Sequence, residues 1–159
     1  MVVIDTDVFL LEFAFHRDPR HEANARFLTV VRDRAPAITI YNLMEILGQL
    51  SFNLTPSRLA QWPLWLQAAY GLTVLWPEPG KMEAFTFFRQ EIHEAPLARM
   101  QERRMAFLDT LILNLAERVS EADTFVTWNA RHFRDKSSLT VLTPAEYLEG
   151  ISPLQGISP

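Results

Sequence analysis

The residues of this chain best placed to do chemistry are acids and amides that stand just after apolar runs or inside them. Asp5 closes the β-branched run at residues 2–4 and precedes a second apolar run at 8–15, so it falls at a strand–helix junction where an unpaired carboxylate carries a large desolvation cost. Asp109 has Met105, Ala106, Ile112 and Leu113 three and four residues away, which puts an acid in the apolar stripe of a helix. Glu45 has polar or small neighbours at Asn42, Gly48 and Gln49, and on spacing alone it reads as a capping glutamate behind Asn42. Asn129 ends another apolar run as Asp5 does, while Asp123 precedes that run and is assigned to the opposite edge. Carboxylate and amide oxygens of this kind suit a hard divalent cation such as Mg²⁺ or Mn²⁺. Zinc is disfavoured, because cysteine is absent and the four His residues lack paired metal spacing. Simpler roles stay open, with Asp5 as a helix cap and Asp109 as the buried partner of an Arg.

The elements that must position these residues alternate. Apolar or β-branched runs at 2–4, 37–40, 72–76, 124–128 and 139–142 predict five strands. Helical spacing or cap-plus-proline signals predict helices over 8–15, 19–34, 42–49, 55–70, 81–94, 100–119 and a short one after Thr143, with Pro63 kinking or splitting the fourth. Strands separated by helices need crossover connections, which predicts a three-layer α/β/α domain with a mainly parallel sheet over residues 1–148. Residues 149–159, with a repeated Gly-Ile-Ser-Pro, read as a flexible tail. In such a sheet ligands gather beyond the carboxyl ends of the strands, where Asp5 and Asn129 fall.

Composition narrows the function. With no Cys there is no disulfide framework, thiol nucleophile or iron–sulfur cluster, and a reducing cytoplasm is the expected setting. No apolar run approaches a membrane span. A net charge of −4 argues against a nonspecific nucleic-acid coat but leaves room for a nuclease that holds a cation between acids.

Four segments together resemble the PIN-domain family: Val2-Val3-Ile4-Asp5-Thr6-Asp7-Val8, Ile40-Tyr41-Asn42-Leu43-Met44-Glu45-Ile46-Leu47, Phe107-Leu108-Asp109-Thr110-Leu111-Ile112, and Val126-Thr127-Trp128-Asn129-Ala130-Arg131-His132-Phe133. Members of that family are typically metal-dependent ribonucleases, many of them toxins of bacterial toxin–antitoxin pairs. The resemblance implies that Asp5, Glu45 and Asp109 hold Mg²⁺ or Mn²⁺, that RNA is the substrate, and that an antitoxin protein and a second copy of the chain are partners. Two departures stand out. Asn129 occupies the place of a fourth acid, for which Asp7 is a substitute if the first strand persists far enough to put it beside Asp5, and His132 stands where an Asp often precedes the Phe. Arg99, Arg103, Arg104, Arg131 and Arg134 are candidate contacts to the RNA backbone, and Trp128 a candidate stacking surface. Trp62, Trp65 and Tyr70 mark a candidate dimer face. Competing readings are a PIN-like domain that binds without cutting and a phosphatase of the haloacid-dehalogenase type. The phosphatase is disfavoured by Phe9 and by the lack of its later acidic pair.

Overall fold

In the computed structural model, residues 1–151 are described. The five strands are β1 (Val2–Ile4), β2 (Pro36–Thr39), β3 (Thr73–Leu75), β4 (Thr124–Val126) and β5 (Thr140–Leu142), all parallel and in the order β3-β2-β1-β4-β5. The helices are α1 (Thr6–Ala14), α2 (His21–Val30), α3 (Ile40–Leu50), α4 (Pro56–Tyr70), α5 (Ala84–Arg89), α6 (Ala95–Arg103), α7 (Phe107–Ala116), α8 (Ala130–Phe133) and α9 (Pro144–Ile151).

Alternation along β1 shows why there are three layers. Val2 and Ile4 point into one core with Phe9, Phe27, Leu43, Ile46 and Leu66, whereas Val3 points into the other with Ile112, Leu113, Phe125 and Phe133. A strand buried on both faces has no place for a polar residue until it ends. Asp5 comes at that point.

The chain lays β1, β2 and β3 outward on one side and then returns to lay β4 and β5 on the other. The strand order therefore reverses between β1 and β4, and crevices at such a reversal are where parallel sheets bind ligands. Three elements differ from their sequence-based expectation. The helix expected over 100–119 is two helices, because Arg104 adopts a left-handed conformation (φ 52°) and Met105 dips into the core before α7 begins. The helix expected over 81–94 is α5 followed by a π-helical turn at Gln90–Glu94. Conversely, α4 runs unbroken through Pro63, since Trp62 and Trp65 on either side of it both pack against Phe13 (ring centroids 4.9 and 5.8 Å). That packing outweighs the lost hydrogen bond. The tail expected from residue 149 begins inside α9, and its remainder, 152–159, lies outside the described residues.

Gly71 ends α4 at φ 66°, with nothing near the position of a Cβ. Gly71→Ala therefore meets backbone strain alone and should cost about 1 kcal/mol in urea unfolding. An unchanged midpoint would mean the turn is not held in that conformation.

Candidate active site

The ends of β1, β2 and β4 and the helices α1, α3, α7 and α8 build the site. Asp5 follows β1 directly and caps α1, its Oδ1 accepting from Thr6 N at 2.8 Å. A second donor comes from α3. The N-cap of α3 is Thr39, not Asn42: the Asn42 side chain accepts from the Thr39 backbone, and Thr39 Oγ1 accepts from Asn42 N. Asn42 is thereby left with its Nδ2 group aimed across the sheet, donating to Asp5 Oδ1 (3.1 Å) and Thr6 Oγ1 (3.2 Å). One buried amide thus ties the end of β1 to the end of β2. The same shift of cap releases Glu45 from the capping role that its spacing suggested. Glu45 lies one turn beyond Asn42's neighbour Tyr41, half-buried, with no hydrogen bond or ion pair among the described residues, and its charge is felt at Asp5.

Asp7 does not share a strand face with Asp5, because β1 stops at Ile4 and Asp7 lies in the first turn of α1. It bridges the reversal of strand order instead. Its Oδ1 accepts from Trp128 N (3.2 Å), and its Oδ2 from Asn129 N (3.1 Å) and the Thr127 hydroxyl (3.0 Å). The buried Thr127 hydroxyl also favours the charged form of Asp5, though less than burial and the Asp7 charge oppose it. Asn129 contributes its backbone N–H, to Asp7 and to Thr127 Oγ1, while its side chain is exposed.

Asp109 is the third residue of α7, a helix that packs on β2 and α3. Its Oδ2 lies 3.3 Å from His132 Nε2 in α8, which begins just after the end of β4. Asp5, Asp7, Glu45 and Asp109 therefore all attach to elements at the carboxyl edge of the sheet. Asp109 is turned toward His132, and among the described residues no three His, Asp or Glu side chains form a ready-made metal cage.

The electrostatics of the rim are uneven. Burial, then the neighbouring Asp7 and Glu45 charges, push the Asp5 carboxyl well above its ordinary value. Burial also raises Asp7, against the hydrogen bonds it accepts and the Arg20 charge, and raises Asp109 against His132. Among the described residues no Lys, Arg or His forms an ion pair with Asp5. Asp5, crowded by Asp7 and Glu45 and without a paired cation, has the donor chemistry that fits a divalent cation, whereas Asp109 is paired with His132 and is not brought into one cluster with them.

Other candidates fall elsewhere. Arg99 is held by Glu117, Asn114 and the Lys136 carbonyl, and Arg134 by Glu146, so neither is free to meet a ligand. Arg103, Arg104 and Arg131 are exposed. Trp128 is not an open stacking surface, since its Nε1 donates to buried Asn24 Oδ1 (2.8 Å) and Arg20 lies over its ring. Trp62, Trp65 and Tyr70 interlock with Phe13, although Leu64 and Trp65 keep 75% and 48% of their surface exposed. A hollow of about 480 Å³ opens between α6, α7 and residues 135–138, and none of the rim carboxylates lines it. Sequence reasoning passed over Asn42 and Thr127 as supports, and over Arg20 entirely. The threonine closing β4 was a signal for the second, and nothing local marked the third.

No protein-family model matches the chain, and no curated protein does. Among solved structures it is similar to VapBC2 from Rickettsia felis bound to a DNA fragment from their promoter, with a TM-score of 0.61 and 18% identity, over 90% of this chain and 98% of that one. At that identity the likeness speaks for architecture. The parallel sheet and the flanking helices agree with it, and the chain has the three-layer α/β/α fold that its sequence pattern predicts.

Proposed function

We propose that the protein is a metal-dependent endoribonuclease that hydrolyses RNA phosphodiester bonds at the rim of Asp5, Glu45 and Asp109, and that it acts as the toxin of a toxin–antitoxin pair. Asp5 carries the reading: a buried carboxylate at the reversal of strand order, beside two like charges, with no cationic side chain paired to it among the described residues. Asp5, Glu45 and Asp109 are the residues to hold Mg²⁺ or Mn²⁺, and Asp7 Oδ1, which accepts a single hydrogen bond, has a lone pair left to join them. When bound, such an ion supplies Lewis acidity toward a phosphodiester oxygen and toward water. No nucleophile from the chain is then required.

The chain's own contribution is to place charge. Asn42 and the Thr6 N–H fix Asp5 Oδ1, the Thr127 hydroxyl and two backbone N–H groups fix Asp7, and His132 steadies Asp109. The likeness to VapBC2 supports an antitoxin protein as partner. The exposed Leu64 and Trp65 on α4 support a homodimer contact there, and the Cys-free composition a cytoplasmic setting. Among the described residues no helix is long and apolar enough to cross a membrane.

The test is Mn²⁺ titration by calorimetry between pH 5 and 8, paired with cleavage of mixed single-stranded RNA in the presence and absence of EDTA. Protons compete with the ion for carboxylates whose affinity for protons is raised, so Mn²⁺ binding should tighten as the pH rises. Cleavage should stop in EDTA. Absence of saturable Mn²⁺ binding, or cleavage indifferent to the chelator, defeats the proposal.

A further inference from the structure

Arg20 is the N-cap residue of α2, and the fold carries it to the rim. Its guanidinium carbon lies 5.4 Å from the centroid of the Trp128 ring, on the segment whose backbone N–H groups hold Asp7. Its charge acts on Asp7, and it is the one cation among the leading influences there. Asp18 holds it from behind, accepting from Nε at 2.9 Å and from Nη2 at 2.6 Å, and from the Arg20 backbone N–H at 2.8 Å. Trp128 in turn is fixed by Asn24, whose Nδ2 donates to the Val8 carbonyl and to Glu12.

This arrangement leaves much of the guanidinium unused. Of its five N–H donors, Asp18 takes two, and the side chain keeps 51% of its surface exposed. Arg99 and Arg134, by contrast, are committed to Glu117 and Glu146. A planar cation held on an aromatic face, oriented by a carboxylate and still presenting donors, has the geometry for recognising a phosphate. We propose that Arg20, seated on Trp128, binds a backbone phosphate of the RNA next to the one that is cleaved. This inference rests on the ribonuclease reading above. Arg20 is a binding residue on this account and takes no part in proton transfer.

The experiment measures steady-state cleavage of a mixed-sequence single-stranded RNA in Mn²⁺, and binding of the same labelled RNA in Ca²⁺ across a salt series, for wild type, Arg20→Ala, Arg20→Lys and Asp18→Asn. Arg20→Ala should raise KM and weaken RNA binding about tenfold with kcat little changed, and should flatten the slope of log K against log salt by about 0.7, one phosphate contact on a single strand. Arg20→Lys should restore the slope and part of the affinity. Asp18→Asn keeps the positive charge and frees donors, so its binding should equal or exceed that of wild type. If Arg20 served only to pack Trp128 and cap α2, Arg20→Ala and Asp18→Asn would both lower the melting temperature with RNA affinity and salt slope unmoved, and that result overturns the assignment. Wild-type protein that binds and cuts RNA, with Arg20→Ala identical to it, removes the Arg20 site alone. Wild-type protein that neither binds nor cuts RNA removes the ribonuclease reading and this inference with it.

Discussion

Asp5→Asn and Asp109→Asn should each lower kcat for RNA cleavage by about a hundredfold or more, since losing an outer-shell partner of a metal ligand already costs about 10–100-fold and these carboxylates are proposed as the ligands themselves. What makes Asp5→Asn discriminating is its opposite effect on stability. The Asn side-chain oxygen can still accept from Thr6 N and Asn42 Nδ2, while the charge repelled by Asp7 and Glu45 is gone. Without added metal the melting temperature should therefore stay level or rise.

The sign follows from linkage. A carboxyl raised in the folded state binds a proton there more readily than in the unfolded chain, so metal-free wild type should lose stability as the pH climbs from about 4 through the raised value of Asp5. Asp5→Asn should flatten that decline. Full activity in both variants would sink the site assignment, and a large fall in melting temperature for Asp5→Asn would make Asp5 a structural acid.

The largest effect on stability should come from a pair remote from the rim. Arg99 and Glu117 meet fork to fork at 2.6 and 2.8 Å with side chains only 12% and 19% exposed, and Ser137 Oγ and Ser138 N add donors to Glu117 Oε1 at 2.9 Å each. Removing one partner strands the other. Glu117→Ala should cost about 3 kcal/mol in urea unfolding, the low end for a buried pair because this one is partly exposed, and should leave RNA affinity per folded molecule unchanged. Burial opposes ionisation of Glu117, but the hydrogen bonds from Arg99 and Ser138 prevail and hold its carboxyl below the ordinary value. Its stabilisation is thus complete above about pH 4.3 and lost as the pH falls through that lowered value. A cost under about 1 kcal/mol would show the pair to be solvated like any surface bridge.

The central strands were legible because burial on both faces demands unbroken apolar runs, and the acids at their ends were legible because such runs have no other place for a charge. Helix starts were less so. Thr39 and Asn42 both can cap, and the choice between them is made by Asp5, which draws the Asn42 amide across the sheet and is distant in sequence. Arg20 failed to stand out for a similar reason, since its meaning lies in Trp128 and Asp7, which only the folded chain brings beside it. Local pattern also joined α6 to α7, because neither Arg104 nor Met105 signals a turn and the left-handed residue is not a glycine.

That interruption has a bearing on how the protein can vary. In an uninterrupted spiral every residue inserted or deleted upstream would rotate Asp109 by about 100° and carry it off the rim. Here the coil restarts after Arg104, and Arg99 clasping Glu117 secures the preceding segment sideways. Its length and outer surface can therefore drift while the acid keeps its bearing.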